Sequence, residues 1–227
     1  MPEPAAGRSC YTCDEYLAFD RQSQTRHEFV DGVIYALRGA DRVRLTGPLS
    51  RQLPATVSAE RAARVHGQLV GNVLLKLRAD LADNARGALV NSAPVRFGDA
   101  DASLYPDVVV ACGDIRFADE ELDTLLTPTV IVEVLSPTTE AYDRGAKFAH
   151  YRRLPSLQHY VLVAQDRVAV EVFTREGDGW LFADAADLTG TAHLAAIGYD
   201  LALADVYDRV QFPFADEPSD DEPLPPT

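Results

Sequence analysis

Residues 129–135 read TVIVEVL, and this short stretch constrains the fold more than any other part of the chain. A continuous run of β-branched and apolar residues predicts a strand buried on both faces, which requires other elements to pack on each side of its sheet. Glu133 interrupts the run, although a buried carboxylate without a partner costs several kcal/mol. The fold must therefore supply Glu133 with a partner.

Hydrophobic periodicity predicts the elements around this strand. Apolar residues recur at every fourth position over 62–83, which predicts the longest helix, and Asp31-Gly32 between apolar runs predicts a β-hairpin. Thr12 and Glu15 form a capping box at the start of a first helix. The other predicted elements are helices over 12–19 and 140–153, strands over 88–97, 105–112, 130–136, 158–164 and 168–174, a hairpin edge at 178–180 and a short element over 202–210. This order indicates an α/β or mixed α+β fold, with a mixed central β-sheet flanked by helices.

The same pattern predicts a single domain with irregular segments around and within it. We predict an N-terminal extension (1–11), one domain (12–212), an inserted loop without periodicity (41–59) and an acidic, proline-rich tail (213–227). From Ala215 onward the tail has five acidic residues, four prolines and no basic residue, a composition typical of disorder. We expect the inserted loop and the tail to be the least ordered parts of the chain.

The charge of the chain bears on its partners. The formal net charge is −14 and remains −9 without the acidic tail, which disfavours DNA binding because such binding rests on cationic contacts to phosphate. No apolar run approaches the roughly 20 residues of a membrane-spanning helix, and the N-terminus lacks a signal-peptide core. We therefore expect a cytoplasmic protein without membrane association. Cys10 and Cys13 form a C-x-x-C motif, but no second pair follows, so a zinc site is disfavoured.

Two acids stand in otherwise apolar strands. Asp107 opens the run PDVVV, and Glu133 interrupts VIVEVL. If the two strands are neighbours, the carboxylates converge, and two buried like charges either raise each other's pKa or recruit a cation such as Mg²⁺. The alternatives are that Glu133 pairs with an arginine in a structural salt bridge and that Asp107 is an ordinary residue at the start of a strand.

The helix that follows Glu133 adds a cation. Asp143, Lys147 and Tyr151 recur at four-residue spacing and share one helix face. The connection to the strand is short, so Lys147 can reach back toward the two acids. Alternatively, Lys147 pairs only with Asp143 on the solvent side. Two acids and a lysine are the parts of a metal-dependent phosphodiester hydrolase, in which the metal lowers the pKa of a water and the lysine orients it.

Several segments resemble the Uma-type endonuclease family, which belongs to the restriction-endonuclease-like PD-(D/E)XK superfamily. They are HEFVDGVIYAL, YPDVVVAC, IVEVLSPTTEAYDRGAKFAHYRRLPSLQHYVLV and VEVFTREGDGW, and the resemblance runs from about Tyr11 to Val210. It implies a restriction-endonuclease-like core, a Mg²⁺ site that Mn²⁺ could also fill, and hydrolysis of DNA.

The resemblance also implies roles for individual residues. Asp107 matches the first acid of the superfamily motif, and the (D/E)-x-K element falls on Glu133, Val134 and Leu135. The implied metal ligands are Asp107, Glu133 and Val134. Leu135 departs from the superfamily pattern, because it stands where the lysine would be. The Uma-type pattern instead has a lysine on the following helix, which matches Lys147.

Further matches lie outside these strands. Glu28 matches a family glutamate with an implied catalytic role, and His66 and Asn72 match the histidine and asparagine of the long helix. His66, Asp143 and Tyr151 are expected to contact the metal ligands without binding the metal themselves. Alternatively, His66 is a solvent-facing residue near the helix start. The roughly twenty extra residues over 41–59 depart from the family pattern.

We therefore predict a Mg²⁺-dependent DNA endonuclease. The alternatives are a non-catalytic or repurposed member of the fold that acts as an oligomeric interaction protein, which the net charge favours, and an enzyme that hydrolyses another phosphate ester. We expect a homodimer, since two subunits could align two basic patches along one duplex. The arginines available for DNA are Arg42, Arg44, Arg51, Arg144, Arg152 and Arg153.

Overall fold

A computed structural model describes residues 10–38, 41–45, 57–84, 88–89, 93–97, 102–118 and 124–212. The helices are α1 (Cys13–Asp20), α2 (Val57–Asn84), α3 (Glu140–Tyr142), α4 (Phe148–Tyr151) and α5 (Leu203–Val206), with a π-helical turn at Asp143–Lys147 and a 3₁₀ turn at Ala195–Ile197. The strands are β1 (His27–Val30), β2 (Val33–Arg38), β3 (Asp41–Arg44), β4 (Ala88–Leu89), β5 (Val95–Arg96), β6 (Ala102–Leu104), β7 (Val108–Ala111), β8 (Val130–Leu135), β9 (His159–Ala164), β10 (Val170–Glu176), β11 (Gly179–Ala185), β12 (Thr191–Leu194) and β13 (Tyr199–Ala202).

These strands form two main sheets and a separate hairpin. The first sheet has the order β3-β2-β1-β6-β5 and is antiparallel throughout. The second sheet has the order β11-β10-β9-β8-β7-β4, in which only the β8–β9 pair is parallel. The hairpin pairs β12 with β13. The predicted mixed α+β fold, with a mixed central sheet and flanking helices, is confirmed.

The second sheet is covered on both faces. One face packs against the apolar side of α2, where Leu69, Val73 and Leu77 are fully buried, and against the β12–β13 hairpin. The other face packs against α4 and part of the first sheet, and the Tyr160 hydroxyl of β9 donates to the Asp143 carbonyl of the π turn. All six residues of β8 are buried, as its apolar run predicts.

The N-terminal elements follow their local sequence signals. The Thr12 hydroxyl accepts the Glu15 N–H at 3.2 Å, and the Thr12 N–H donates to the Glu15 carboxylate at 2.9 Å, which confirms the capping box. The hairpin turn places Asp31 at φ 48° and Gly32 at φ 80°, as a type I′ turn requires. The rings of Tyr16 and Phe29 stack at 5.3 Å and join α1 to this hairpin.

Three parts of the predicted pattern are wrong. The segment predicted as a loop over 41–59 contains β3 and the first residues of α2. The single strand predicted over 88–97 is two short strands in different sheets, because β4 pairs with β7 and β5 pairs with β6. Pro94 precedes β5 and has no N–H to donate, which favours a break in the strand there. The pattern also missed β6, β12 and β13.

Other expectations fall outside the described residues. The predicted disorder of the tail concerns residues 213–227, and most of the N-terminal extension and residues 46–56 of the predicted loop also lie outside. Within the described ranges, no helix combines the length and apolar character needed to cross a membrane.

Candidate active site

Two neighbouring strands bring Asp107 and Glu133 together. Val108 of β7 pairs with Val132 of β8, so the antiparallel register places Asp107, which precedes β7, opposite Glu133. Residues that pair in this way project from the same face of the sheet, with Cβ atoms about 5 Å apart. Both acids accordingly line one cleft, on the face of the second sheet that packs beneath the π turn.

Asp107 lies at the open side of this cleft. Its side chain is 25% exposed, and its Oδ2 accepts the backbone N–H of Val134 at 2.7 Å and lies 3.3 Å from Nε2 of His66 on α2. Burial raises the pKa of Asp107, but the hydrogen bond and charge of His66, the charge of Lys147 and the Val134 N–H together hold it below its ordinary value. Asp107 is therefore ionised at neutral pH.

Glu133 is the buried member of the pair. Its side chain is only 2% exposed, and its Oε1 lies 2.9 Å from Nζ of Lys147, so its partner is a lysine rather than the arginine considered as an alternative. The contact is an ion pair without favourable hydrogen-bond geometry at Oε1. Burial raises the pKa of Glu133 well above its ordinary value; Lys147 opposes this shift, whereas Asp107 and Asp143 add to it.

Lys147 projects inward from the π turn. Besides Glu133, its Nζ donates to the Tyr105 carbonyl at 3.2 Å and lies 3.6 Å from carboxylate oxygens of both Glu28 and Asp143. Burial lowers the pKa of Lys147, but Glu133 and Glu28 raise it well above its ordinary value. The alternative of a solvent-side pair with Asp143 is wrong, because both side chains are buried.

The π turn itself was not predicted. A π turn inserts one residue into a helix and so changes the direction of the side chains that follow it. Its residues Asp143 and Lys147 are both buried and both line the cleft. The Tyr160 hydroxyl donates to the Asp143 carbonyl at 2.9 Å and fixes the turn on the sheet.

Glu28 of β1 lies on the side of the cleft that is formed by the first sheet. Its Oε2 accepts Nε of Arg42 at 2.9 Å and the Tyr142 hydroxyl at 3.2 Å, and its Oε1 accepts the Tyr105 N–H at 3.3 Å. Sequence reasoning assigned no site role to Tyr105 or Tyr142, and it considered Arg42 only as a DNA-contacting residue. The adjacency of Tyr105 to the Pro106-Asp107 motif was the one available signal.

Two residues singled out in the sequence, Asn72 and Tyr151, lie outside the cleft. Asn72 donates to the carbonyls of Val206 at 2.9 Å and Asp208 at 3.0 Å, so it anchors the segment around α5. Tyr151 is fully buried beneath the site, where its ring packs against Phe97 and Tyr160. Among the predicted supporting residues, His66 and Asp143 do line the cleft.

The composition of the cleft bears on whether it can hold a divalent ion. Four carboxylates line the cleft, whereas only two of its lining residues, Lys147 and Arg42, are permanent cations. The carboxylates are those of Glu28, Asp107, Glu133 and Asp143. Within the described ranges, no three His, Cys, Asp or Glu side chains are grouped as a metal cage. Mg²⁺, however, is commonly held by one or two carboxylates and several waters. The excess of negative charge and the raised pKa of Glu133 fit such an ion.

Comparison with known proteins identifies the family. Residues 13–204 match Uma2, described as "Putative restriction endonuclease". The chain belongs to the Uma2 family. This confirms the resemblance seen in the sequence.

Two uncharacterized proteins of Synechocystis sp. are similar to this Uma2 chain. The protein sll1609 is 29% identical over 76% of this chain and 86% of its own length, and slr1290 is 31% identical over 88% of this chain and 92% of its own length. A crystal structure of a protein from Anabaena variabilis, described as "a putative nuclease belonging to DUF820", matches with a TM-score of 0.61 and 16% identity. The match covers 87% of this chain and 97% of that one. It shares the fold.

Proposed function

We propose that this protein is a Mg²⁺-dependent endonuclease that hydrolyses phosphodiester bonds in DNA, with Mn²⁺ as an alternative ion. The observation that carries the proposal is the side-by-side placement of Asp107 and Glu133 in one cleft, with the Lys147 ammonium 2.9 Å from Glu133. Membership of the Uma2 family and the shared nuclease-like fold support the same reaction class.

In this proposal the carboxylates of Asp107 and Glu133 would hold the ion, with the Val134 carbonyl as a further ligand. A bound divalent ion lowers the pKa of a water to the neutral range and screens the phosphate charge. Lys147 would fix the orientation of Glu133, and its buried positive charge would stabilise the negative charge that develops in the transition state. Because Lys147 is held by several carboxylates, it stays protonated and acts as a fixed positive charge rather than as a base.

The remaining polar residues orient these groups. Glu28 fixes the ammonium of Lys147 from the first sheet, at 3.6 Å, and Asp143 does so from the π turn at the same distance. His66 holds the Asp107 carboxylate from α2. The strands, the π turn and α2 therefore each contribute a group that limits the movement of the proposed catalytic side chains.

Cleavage of supercoiled plasmid and of single-stranded DNA, with Mg²⁺, Mn²⁺ or EDTA, tests the proposal. We expect Mg²⁺-dependent cleavage by the wild type, none by Asp107→Asn, and wild-type cleavage by the matched control Asp178→Asn in an exposed turn. Equal cleavage by wild type and Asp107→Asn would reject the proposed site. Hydrolysis of bis-(p-nitrophenyl) phosphate without any cleavage of DNA would favour another phosphate ester as the substrate.

The second candidate is a non-catalytic oligomeric interaction protein. The net charge of −14 favours it, as does the engagement of Arg144, one of the arginines predicted to contact DNA, with Glu140 at 2.8 Å and with Glu171 at 2.5 Å. Sedimentation tests the predicted homodimer, and a salt titration tests DNA binding. A monomer that binds no DNA at low salt with Mg²⁺ present would favour this second candidate.

A further inference from the structure

Arg42 enters the cleft from β3, a strand within the segment predicted to be a loop. Its guanidinium carbon lies 3.3 Å from the centroid of the Tyr35 ring and 4.0 Å from that of the Tyr142 ring. A cation held against two aromatic rings gains cation–π attraction and loses rotational freedom. The plane of the guanidinium is therefore fixed by the protein, and only its edges remain available for hydrogen bonds.

One edge of the guanidinium is already used. Nε donates to Oε2 of Glu28 at 2.9 Å, and among the described residues this is the one hydrogen bond that Arg42 makes through its side chain. Its side chain remains 15% exposed, and it lines the same cleft as Asp107 and Glu133. Its terminal nitrogens therefore keep donors in a cleft that also contains the proposed metal ligands.

Lys147, the other permanent cation of the cleft, is placed differently. Its side chain is 7% exposed, and its ammonium is surrounded by Glu133, Glu28, Asp143 and the Tyr105 carbonyl. The ammonium therefore makes its interactions with groups of the protein itself. Arg42 is thus the cation of the cleft with donors left for a ligand, and a planar fork of N–H groups matches two oxygens of a phosphate.

We propose that Arg42 is a substrate-binding residue that donates through its terminal nitrogens to the non-bridging oxygens of a DNA phosphate beside the metal site. This inference rests on the proposed function and extends it to substrate recognition. Tyr35 and Tyr142 fix the plane of the Arg42 guanidinium, and Glu28 fixes its rotation within that plane. Lysine cannot replace arginine here, since an ammonium lacks both the flat face that stacks on the rings and the second parallel donor.

The experiment compares Arg42→Lys and Arg42→Ala with Arg116→Ala. Arg116 is an exposed arginine that follows β7, at the end of the strand away from Asp107, and it serves as the control. Fluorescence anisotropy measures binding of a fluorescein-labelled 24-base-pair duplex in Ca²⁺ over a range of KCl, and plasmid cleavage in Mg²⁺ gives kcat and KM. Thermal melting reports folding. Arg42→Lys keeps a cation near Glu28, so it covers the case in which Arg42→Ala fails to fold.

We expect both Arg42 variants to bind the duplex about tenfold more weakly, which corresponds to one bidentate contact of about 1.4 kcal/mol. In Arg42→Ala, which removes the charge, the slope of log K against log[salt] should fall by about 1, the value for one lost phosphate contact. KM should rise about tenfold in both variants, and Arg116→Ala should retain wild-type values.

The outcomes separate this inference from the proposed function. A wild-type protein that neither binds nor cleaves DNA would overturn the nuclease proposal and this inference with it. A wild-type protein that binds and cleaves DNA, together with a folded Arg42→Lys whose affinity and KM are unchanged, would overturn only the role of Arg42.

Discussion

The two faces of β8 are equally buried but chemically opposite. On one face Val130, Val132 and Val134 belong to the apolar core that includes α2. On the other face Glu133 stands between Ile131 and Leu135 and pairs with Lys147. The comparison shows that burial alone does not make a surface apolar; it requires only that each charge find a partner.

The two faces also contribute differently to stability. Each large apolar side chain buried on the α2 face contributes about 1.5–3 kcal/mol. A buried ion pair gains little net free energy, because desolvation offsets the attraction between its members, yet removal of one member is costly. We therefore assign stability mainly to the α2 face and chemistry to the Glu133 face, and substitutions on the two faces should separate these properties.

Loss of the proposed metal ligand should produce the largest effect. Asp107→Asn keeps the shape of the side chain but removes its charge, and we expect cleavage to fall by at least about a thousandfold, equivalent to roughly 4 kcal/mol of lost transition-state stabilisation. Plasmid nicking rates at saturating Mg²⁺ measure this loss. Unfolding in urea should change by less than about 1.5 kcal/mol, and a larger change would show that Asp107 is chiefly structural.

Lys147→Met should affect both properties. It leaves Glu133 buried beside Asp107 and Asp143 without its cation, so we expect a loss of about 3–5 kcal/mol in the free energy of unfolding in EDTA, together with loss of cleavage. Urea unfolding measures the first effect. The double variant with Glu133→Gln should recover most of the stability but none of the activity. Recovery of neither would mean that Lys147 acts through contacts other than Glu133.

On the opposite face, Leu69→Ala should reduce stability alone. Leu69 of α2 is fully buried in the apolar core, and a cavity at such a position costs about 2–5 kcal/mol. The expected result is a lower urea midpoint with an unchanged kcat at 25 °C. Leu75→Ala, at an exposed position of the same helix, is the matched control. A large fall in kcat for folded Leu69→Ala would contradict the separation of the two faces.

His159 lies on the α2 face, and we expect it to have a smaller effect on stability that depends on pH. Its Nε2 accepts the Ala196 N–H at 3.0 Å, and burial, aided by His193, lowers its pKa to about 4. Because the folded-state pKa lies below the unfolded value of 6.5, its contribution to stability is complete above pH 6.5 and is lost as the pH falls through 4, by up to about 3 kcal/mol. NMR titration of the ring should show the neutral form at pH 5.5; a charged ring at that pH would refute this.

Much of this arrangement could be predicted from sequence pattern. Four-residue apolar spacing gave α2, and the run around Glu133 indicated a strand buried on both faces. The convergence of Asp107 with Glu133 followed from two acids in apolar strands, once those strands were assumed to be neighbours. Such signals work because each depends on the local spacing of side chains.

The remainder depends on contacts between distant segments. β3 has a polar sequence without a strand pattern, and it is held by its pairing with β2, which brings Arg42 to Glu28. The two-residue strand β4 is defined by its partner rather than by its own residues. The π turn that carries Lys147 has no sequence signature, so the inward direction of this side chain could be proposed but not its detailed contacts.

The central claim is that Asp107 and Glu133 share one divalent ion. Isothermal titration calorimetry with Mn²⁺, supported by electron paramagnetic resonance of the free ion, tests it without relying on cleavage. The account predicts one tight Mn²⁺ per chain in the wild type and in Asp178→Asn, and at least about tenfold weaker binding in Asp107→Asn and in Glu133→Gln, because each variant removes a charged ligand. Undiminished Mn²⁺ affinity in either of these two variants, or no Mn²⁺ binding by the folded wild type, would contradict it.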